Sequence, residues 1–385
     1  MGCKPARTSN QGYKRRKTEG KETYKKKLYW HSTFGQIEIE EQLLELDNKI
    51  VRPFSLSAKT KCRSYSPCLQ RAIVDFGADV SFQEAQKKLK EHYRLEISLT
   101  AVQSIVENHA KGVFEFIEND KEKLKGGNAK QLIAEMDGSM VPIVETTMPK
   151  EGKQDKRRCR SLKWQEARLC FVRDVNHVSP VFYATMGDTQ RAGCLLYRAA
   201  LRVGLGSKTR IHGVGDGAKW IETQMKRVFC KNVKYLVDFY HVSEYLAAAA
   251  EHSWTSEKDS WRKKNQDLLK ESKHEEVLQK LKLRLPLDWA EGKEEKNDVE
   301  DTPVEKCYRY LSNRKDCLDY KGALEKDLPI GSGEIESSHR YVIQKRLKIA
   351  GAWWKHETAE YMLSLRVLRA NNDWEDYWNY LKKAA

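Results

Sequence analysis

The chain has 385 residues, with 70 Lys and Arg against 55 Asp and Glu, giving a formal net charge of +15. That length accommodates two or three domains and a sizeable core, and the charge argues for an anionic partner, with nucleic acid as the first candidate. No apolar run is long enough for a membrane span, the start lacks the apolar core of a signal peptide, and nine cysteines at irregular spacing without a CxxC pair fit a reduced intracellular protein rather than a disulfide or zinc framework.

In chain order, residues 1–27 read as a basic arm. Lys14-Arg15-Arg16-Lys17 and Lys25-Lys26-Lys27 lie among small polar residues that cannot bury a core. Such an arm is expected to be disordered in isolation and able to neutralise phosphates; a solvated tail is the plainer reading. Residues 28–65 hold a short alternating strand at 34–39 and a linker. Residues 66–125 read as three helices. Pro67 suits the first helical position after Ser66, and Leu69, Ile73 and Phe76 line one face. Ser81-Phe82-Gln83-Glu84 has capping-box form before Ala85, Leu89 and Tyr93, and Thr100-Ala101-Val102-Gln103 repeats it before Ile105, Val106 and His109. Three such helices fit a helix-turn-helix DNA-binding domain, although helical triplets also build domains that bind no DNA.

Over 129–250 the texture changes to α/β. Strands are expected at 129–144, carrying Asp137 and turning at Gly138-Ser139, then at 166–174 and 181–186, followed by a helix over 190–203. Residues 209–229 form the centrepiece. Ile211 and Val214 give strand character, Gly215 and Gly217 allow a tight turn on either side of Asp216, and Trp220, Ile221, Met225 and Val228 recur at helical spacing. Asp216 is therefore either a metal or acid/base carboxylate at a strand end or a simple helix N-cap. A strand at 233–237 runs into Asp238-Phe239-Tyr240-His241 and a helix through Ala250. The order of elements predicts a sheet of mixed direction. Residues 251–328 read as an all-α insertion with an acidic, exposed linker at 288–305. In 329–385, Ser332 or Gly333 starts a helix with Ile335, Val342, Ile343 and Leu347 on its buried side, Arg340, Lys345, Arg346 and Lys348 on the others, and an aromatic helical tail after it.

Three acids stand out. Asp137 lies inside a strand, where a charge is costly unless a cation or partner compensates it; Asp216 ends a later strand; Glu336 lies in the first turn of a helix. One carboxylate each from strand, strand and helix is the arrangement of the ribonuclease-H-like fold. Carboxylates suit hard cations such as Mg²⁺ or Mn²⁺, and two such ions can stabilise both the attacking and the leaving oxygens of an in-line displacement at phosphorus.

The segments MDGSMV, GDGAKWI, VDFYHVSEYL and PIGSGEIESSHRYVIQKRLKIAGAWW resemble the DDE transposases of bacterial insertion sequences, nearest to the Kra-type family related to the Mutator-like transposases. The resemblance spans roughly residues 66–375. It implies a ribonuclease-H-like catalytic core with an all-α insertion, preceded by a small helix-turn-helix domain. It also implies cleavage and strand transfer of DNA at element ends and target, two Mg²⁺ or Mn²⁺ ions, a homo-oligomer on DNA, and a cytoplasmic, nucleoid-associated protein. Carried over by position, Asp137, Asp216 and Glu336 are the catalytic and metal-binding acids, Glu336 being preferred to Glu334. Asp238 and His241 match a second-shell or DNA-contacting pair, equally readable as an N-cap and a core histidine. Arg340, Lys345, Arg346 and Lys348 are expected to contact DNA. One departure is the cysteine-rich piece that the family usually carries ahead of its helices, of which this chain has only Cys62 and Cys68. A domesticated relative that binds DNA without cutting it is the alternative. A haloacid-dehalogenase-like phosphohydrolase is disfavoured, because Gly138-Ser139 and Lys219-Trp220 stand where its further acids belong.

Overall fold

The computed structural model describes residues 21–46, 49–54, 64–120, 122–146, 160–254, 256–285, 289 and 301–384. The expected basic arm up to residue 20 and most of the expected acidic linker lie outside the described residues. Residues 21–27 are no arm: β1 (Lys21–Ser32) and β2 (Gly35–Leu46) pair as a long antiparallel hairpin, extended by β3 (Lys49–Val51). Lys25 lies 3.3 Å from Glu40 and Lys27 lies 2.6 Å from Glu38, so opposite charges across the strands hold the basic run extended. Leu28 and Trp30, at alternate positions, are buried.

Helices α1 (Pro67–Asp79), α2 (Phe82–Tyr93) and α3 (Leu99–Asn119) each begin with a serine in extended conformation. Ser66, Ser81 and Ser98 accept a hydrogen bond from the backbone N–H three residues on, at 3.2, 3.1 and 3.2 Å. The third helix therefore starts at Ser98, two residues ahead of the expected Thr100.

The central sheet contains β4 (Gln131–Thr146), β5 (Arg160–Asp174), β6 (Val181–Thr185), β7 (Arg210–Gly215) and β8 (Val233–Val237). Its order is β6-β5-β4-β7-β8; β4, β5 and β6 are antiparallel, while β4, β7 and β8 are parallel. Between them run α4 (Thr189–Val203) and α5 (Lys219–Phe229), and α6 (Phe239–Ser253) follows β8. This is the mixed sheet that the order of elements predicts. One detail differs: β4 does not turn at Gly138-Ser139. A Cβ on Gly138 would lie 2.0 Å from Glu166 Oε1, so the glycine leaves room for a side chain of the neighbouring strand.

The two-residue period of the strands separates two cores. Leu132, Ala134 and Met136 of β4 and Cys170 and Val172 of β5 face α4, α5 and the insertion helices. Val141, Ile143, Ala167, Leu169 and Phe171 face the other way, toward α1, α2, α3 and the C-terminal helices. The helical region 66–125 is thus part of one core with the sheet. Between 251 and 328 the described elements are helical, as expected: α7 (Lys258–Lys270), α8 (His274–Lys282), α9 (Pro303–Ser312) and α10 (Tyr320–Leu324), with a short 3-10 turn at Lys315–Cys317. Thr302 and Glu305 form a capping box, so the end of the expected acidic linker is a helix start.

The chain returns across the sheet in α11 (Gly333–His339), a π-helical stretch (Arg340–Gln344) and one further turn (Lys345–Leu347). Trp354 then pairs with β4, its carbonyl accepting from Val144 N at 2.7 Å, and α12 (His356–Ala370) and α13 (Trp374–Ala384) close the fold. Among the described residues no helix is long and apolar enough to cross a membrane.

Candidate active site

Asp137 lies on the face of β4 opposite to Met136, where α11 crosses. Its Oδ1 accepts from Gly138 N at 2.7 Å, and its Oδ2 is 3.2 Å from His339 Nε2. The carboxylate is 30 % exposed, so it is open to a ligand.

Asp216 follows the last residue of β7. The turn requires glycine at 217: its φ is +85°, and a Cβ there would come within 2.5 Å of the Tyr310 hydroxyl. The N-cap of α5 is Ala218 rather than Asp216, whose Oδ1 instead accepts from Ala218 N at 2.8 Å. The insertion clamps this turn. Tyr310 donates to the Asp216 carbonyl at 2.5 Å and Arg314 Nε to the Gly217 carbonyl at 2.8 Å, while the Tyr235 hydroxyl accepts from Gly217 N at 3.2 Å. Burial pushes the Asp216 carboxyl above its ordinary pKa; the Ala218 N–H opposes this and the negative charge of Asp137 adds to it.

Glu336 is carried by α11. Burial raises its pKa first, and the charges of Asp238 and Asp137 raise it further. Its neighbour Glu334 is differently engaged: Arg173 Nε lies 3.0 and 2.9 Å from the two Glu334 carboxylate oxygens. Two buried acids hold the start of this helix. Glu135 Oε2 accepts from Ile335 N at 3.0 Å, and Asp238 Oδ2 accepts from Ser332 N at 2.5 Å and from the Ser332 hydroxyl. Burial in this position pushes the Glu135 carboxyl up to about 8, partly opposed by the Ile335 N–H.

Asp238 also accepts from Tyr240 N at 2.6 Å and His241 N at 3.0 Å through Oδ1, as the N-cap of α6. With both oxygens hydrogen-bonded and only 2 % exposure, it is a brace between two helix starts, in keeping with the N-cap alternative. His241 is partly exposed, with Nδ1 3.5 Å from Glu244, and its ring packs edge-on to Tyr245 and Tyr310. Its charge opposes, in part, the upward shifts of Asp216 and Glu336.

The basic run divides. Arg340, Lys345 and Lys348 are exposed, with Lys345 Nζ 3.9 Å from Asp79. Arg346, expected to contact DNA, is buried. Its guanidinium lies between the rings of Phe82 and Trp354, 4.6 and 4.8 Å from their centroids, and its Nε donates to the Gly77 carbonyl at 2.8 Å. Aromatic walls and a backbone acceptor hold this cation within the fold, where burial lowers its pKa to about 10.

His339, Glu135, Tyr310, Arg314 and Arg173 escaped the sequence reading. The available signals were local: His339 is three residues after Glu336, and Glu135 two before Asp137, so each shares a face with an acid. Among the described residues, no three His, Cys, Asp or Glu side chains are already gathered as a metal site.

Residues 206–379 match the model of an uncharacterised protein family (UPF0236). The matched segment includes Asp216, Asp238, Glu336 and His339 and begins after β4, which carries Asp137. No curated protein matches the chain.

Proposed function

We propose that the protein is a DDE-type transposase, acting on DNA as a homo-oligomer and catalysing metal-dependent strand cleavage and transfer at the ends of a mobile element. The observation that carries this reading is the placement of three acids from distant segments: β7, whose end precedes Asp216, pairs in parallel with β4, which carries Asp137, and the helix of Glu336 packs on β4; the charge of Asp137 accordingly adds to the upward shifts of Asp216 and Glu336. The strand order β6-β5-β4-β7-β8, antiparallel in its first three strands and parallel in the rest of its pairings, supports a ribonuclease-H-like core.

The residues fit a divalent cation in kind. The charge of Asp137 adds to the upward shifts of Asp216 and Glu336, against which His241 acts only in part, and two buried nitrogens of His339 beside Asp137 have no hydrogen-bond partner. Asp137, Asp216 and Glu336 would hold the metal; repelling carboxylates close on a cation that neutralises them. When bound, two ions would stabilise the attacking and leaving oxygens of a phosphodiester displacement. The rest is the work of the chain. Gly138 N and Ala218 N each fix one oxygen of their acid, Tyr310 and Arg314 lock the Asp216 turn, and Glu135 and Asp238 set the start of the Glu336 helix. Arg340, Lys345 and Lys348 supply exposed positive charge for phosphates beside that helix.

The test is Mg²⁺-dependent cleavage of labelled DNA carrying the element's ends. Asp137→Asn, Asp216→Asn and Glu336→Gln are each expected to abolish cleavage while binding persists. Undiminished cleavage by Glu336→Gln refutes the choice of third acid. Binding without cleavage by the wild-type protein favours the DNA-binding relative.

A further inference from the structure

We propose that His339 is a fourth donor of this centre, a nitrogen ligand to a divalent cation beside Asp137; the inference rests on the metal-dependent reading above. His339 is the last residue of α11, one turn beyond Glu336 and on the same side of the helix. It is 3 % exposed, yet neither ring nitrogen has a hydrogen-bond partner. A histidine buried for structural reasons finds an acceptor or a donor, as His109 does with Gln70 and Tyr377 at 2.8 and 3.0 Å. His339 Nε2 lies 3.2 Å from Asp137 Oδ2, close enough for an ion pair but without hydrogen-bond alignment. That spacing suits two adjacent ligands of one ion: with octahedral bonds of about 2.1 Å, neighbouring donors lie about 3 Å apart. The other Asp137 oxygen is held by Gly138 N, so Oδ2 and His339 Nε2 are the pair that would hold an ion.

An imidazole donor changes which ion the centre prefers. Imidazole is a softer donor than carboxylate and suits transition ions more than Mg²⁺; Mn²⁺ stands at the weak end of that series and shares the preference of Mg²⁺ for oxygen. Binding of Mn²⁺ is therefore expected to depend on His339 more than binding of Mg²⁺ does.

The experiment uses the full chain with Mn²⁺ alone and no DNA. Pulsed electron paramagnetic resonance reads nitrogen hyperfine coupling at the bound Mn²⁺, first with natural-abundance protein and then with ¹⁵N-histidine protein. Coupling that changes with the histidine isotope is expected, and its loss in His339→Ala assigns it. Calorimetry of that variant is expected to show Mn²⁺ affinity reduced by about 10- to 100-fold, with a smaller change for Mg²⁺. Bound Mn²⁺ without nitrogen coupling in the wild-type protein overturns the role of His339 and leaves the carboxylate centre standing, and this measurement needs no variant to fold. Coupling that survives in His339→Ala and vanishes in His241→Ala transfers the role to His241 and likewise overturns the proposal. Failure of the wild-type protein to bind Mn²⁺ overturns both the proposal and the reading it rests on.

Discussion

Replacing Arg346 with alanine separates a buried structural cation from a DNA contact. The substitution removes two guanidinium–aromatic contacts, with Phe82 and Trp354, each worth about 1–2 kcal/mol when desolvated. It also removes a charge-assisted hydrogen bond to the Gly77 carbonyl, worth about 1.5–3 kcal/mol. Against this, the desolvation cost of a buried guanidinium is relieved, and one of its nitrogens, Nη2, has no partner to lose. The net expectation is destabilisation by about 2–4 kcal/mol, within the range of lost buried networks. Urea unfolding, monitored by tryptophan fluorescence, measures it. Fluorescence anisotropy of labelled duplex DNA across a salt series supplies the second reading, where a lost phosphate contact reduces the slope of log K against log salt by about one. A stability change under about 0.5 kcal/mol together with a shallower salt slope would refute the argument and return Arg346 to the DNA-facing surface.

Glu135 gives a pH signature. Its folded-state pKa of about 8 lies above the ordinary 4.5, so the folded protein keeps a proton that the unfolded chain has released; this stability is complete below about 4.5 and is lost as pH rises toward 8. Glu135→Gln, neutral throughout, is expected to flatten that fall, as followed by thermal melting across the window; an unchanged slope would show that Glu135 is not its source. Glu334→Gln is expected to retain cleavage where Glu336→Gln loses it, because Glu334 is already paired with Arg173; the same labelled-DNA assay decides. Charge reversal at Lys345 and Lys348 should weaken binding to unrelated sequences alike and reduce the salt slope by about one per lost phosphate contact; a sequence-selective loss would argue for base contacts instead.

What could be read from the sequence follows the range of the signal. The strands of the sheet were legible because alternation and apolar runs are local, and two of the three early helix starts were legible because a capping serine acts within one turn. The β1–β2 hairpin was missed because its lysines imitate a solvated tail until the acids of the opposite strand are set beside them. Arg346 looked like its neighbours because Lys345, Arg346 and Lys348, clustered within four residues, carry no mark of which one meets Phe82 and Trp354. Gly138 was taken for a turn because nothing in its own neighbourhood announces Glu166 on the adjacent strand. Of the candidate site, the three acids were readable one by one from their placement. The contacts that hold them were not: Glu135 meets Ile335 across 200 residues and Arg173 meets Glu334 across 161, and sequence spacing is silent on pairs so far apart.

The return of α11 across the sheet also fixes an order of events during synthesis. β4 and the Asp216 turn leave the ribosome long before Glu336, and the hydrogen bonds from Ser332 and Ile335 to Asp238 and Glu135 form only once that late segment has emerged. Nascent chains and products truncated between Asp238 and α11 hold Asp137, Asp216 and both waiting acceptors but not Glu336. The pairing of the three carboxylates is thus among the later long-range arrangements of the described fold, set only when Glu135 and Asp238 receive the N–H groups of α11.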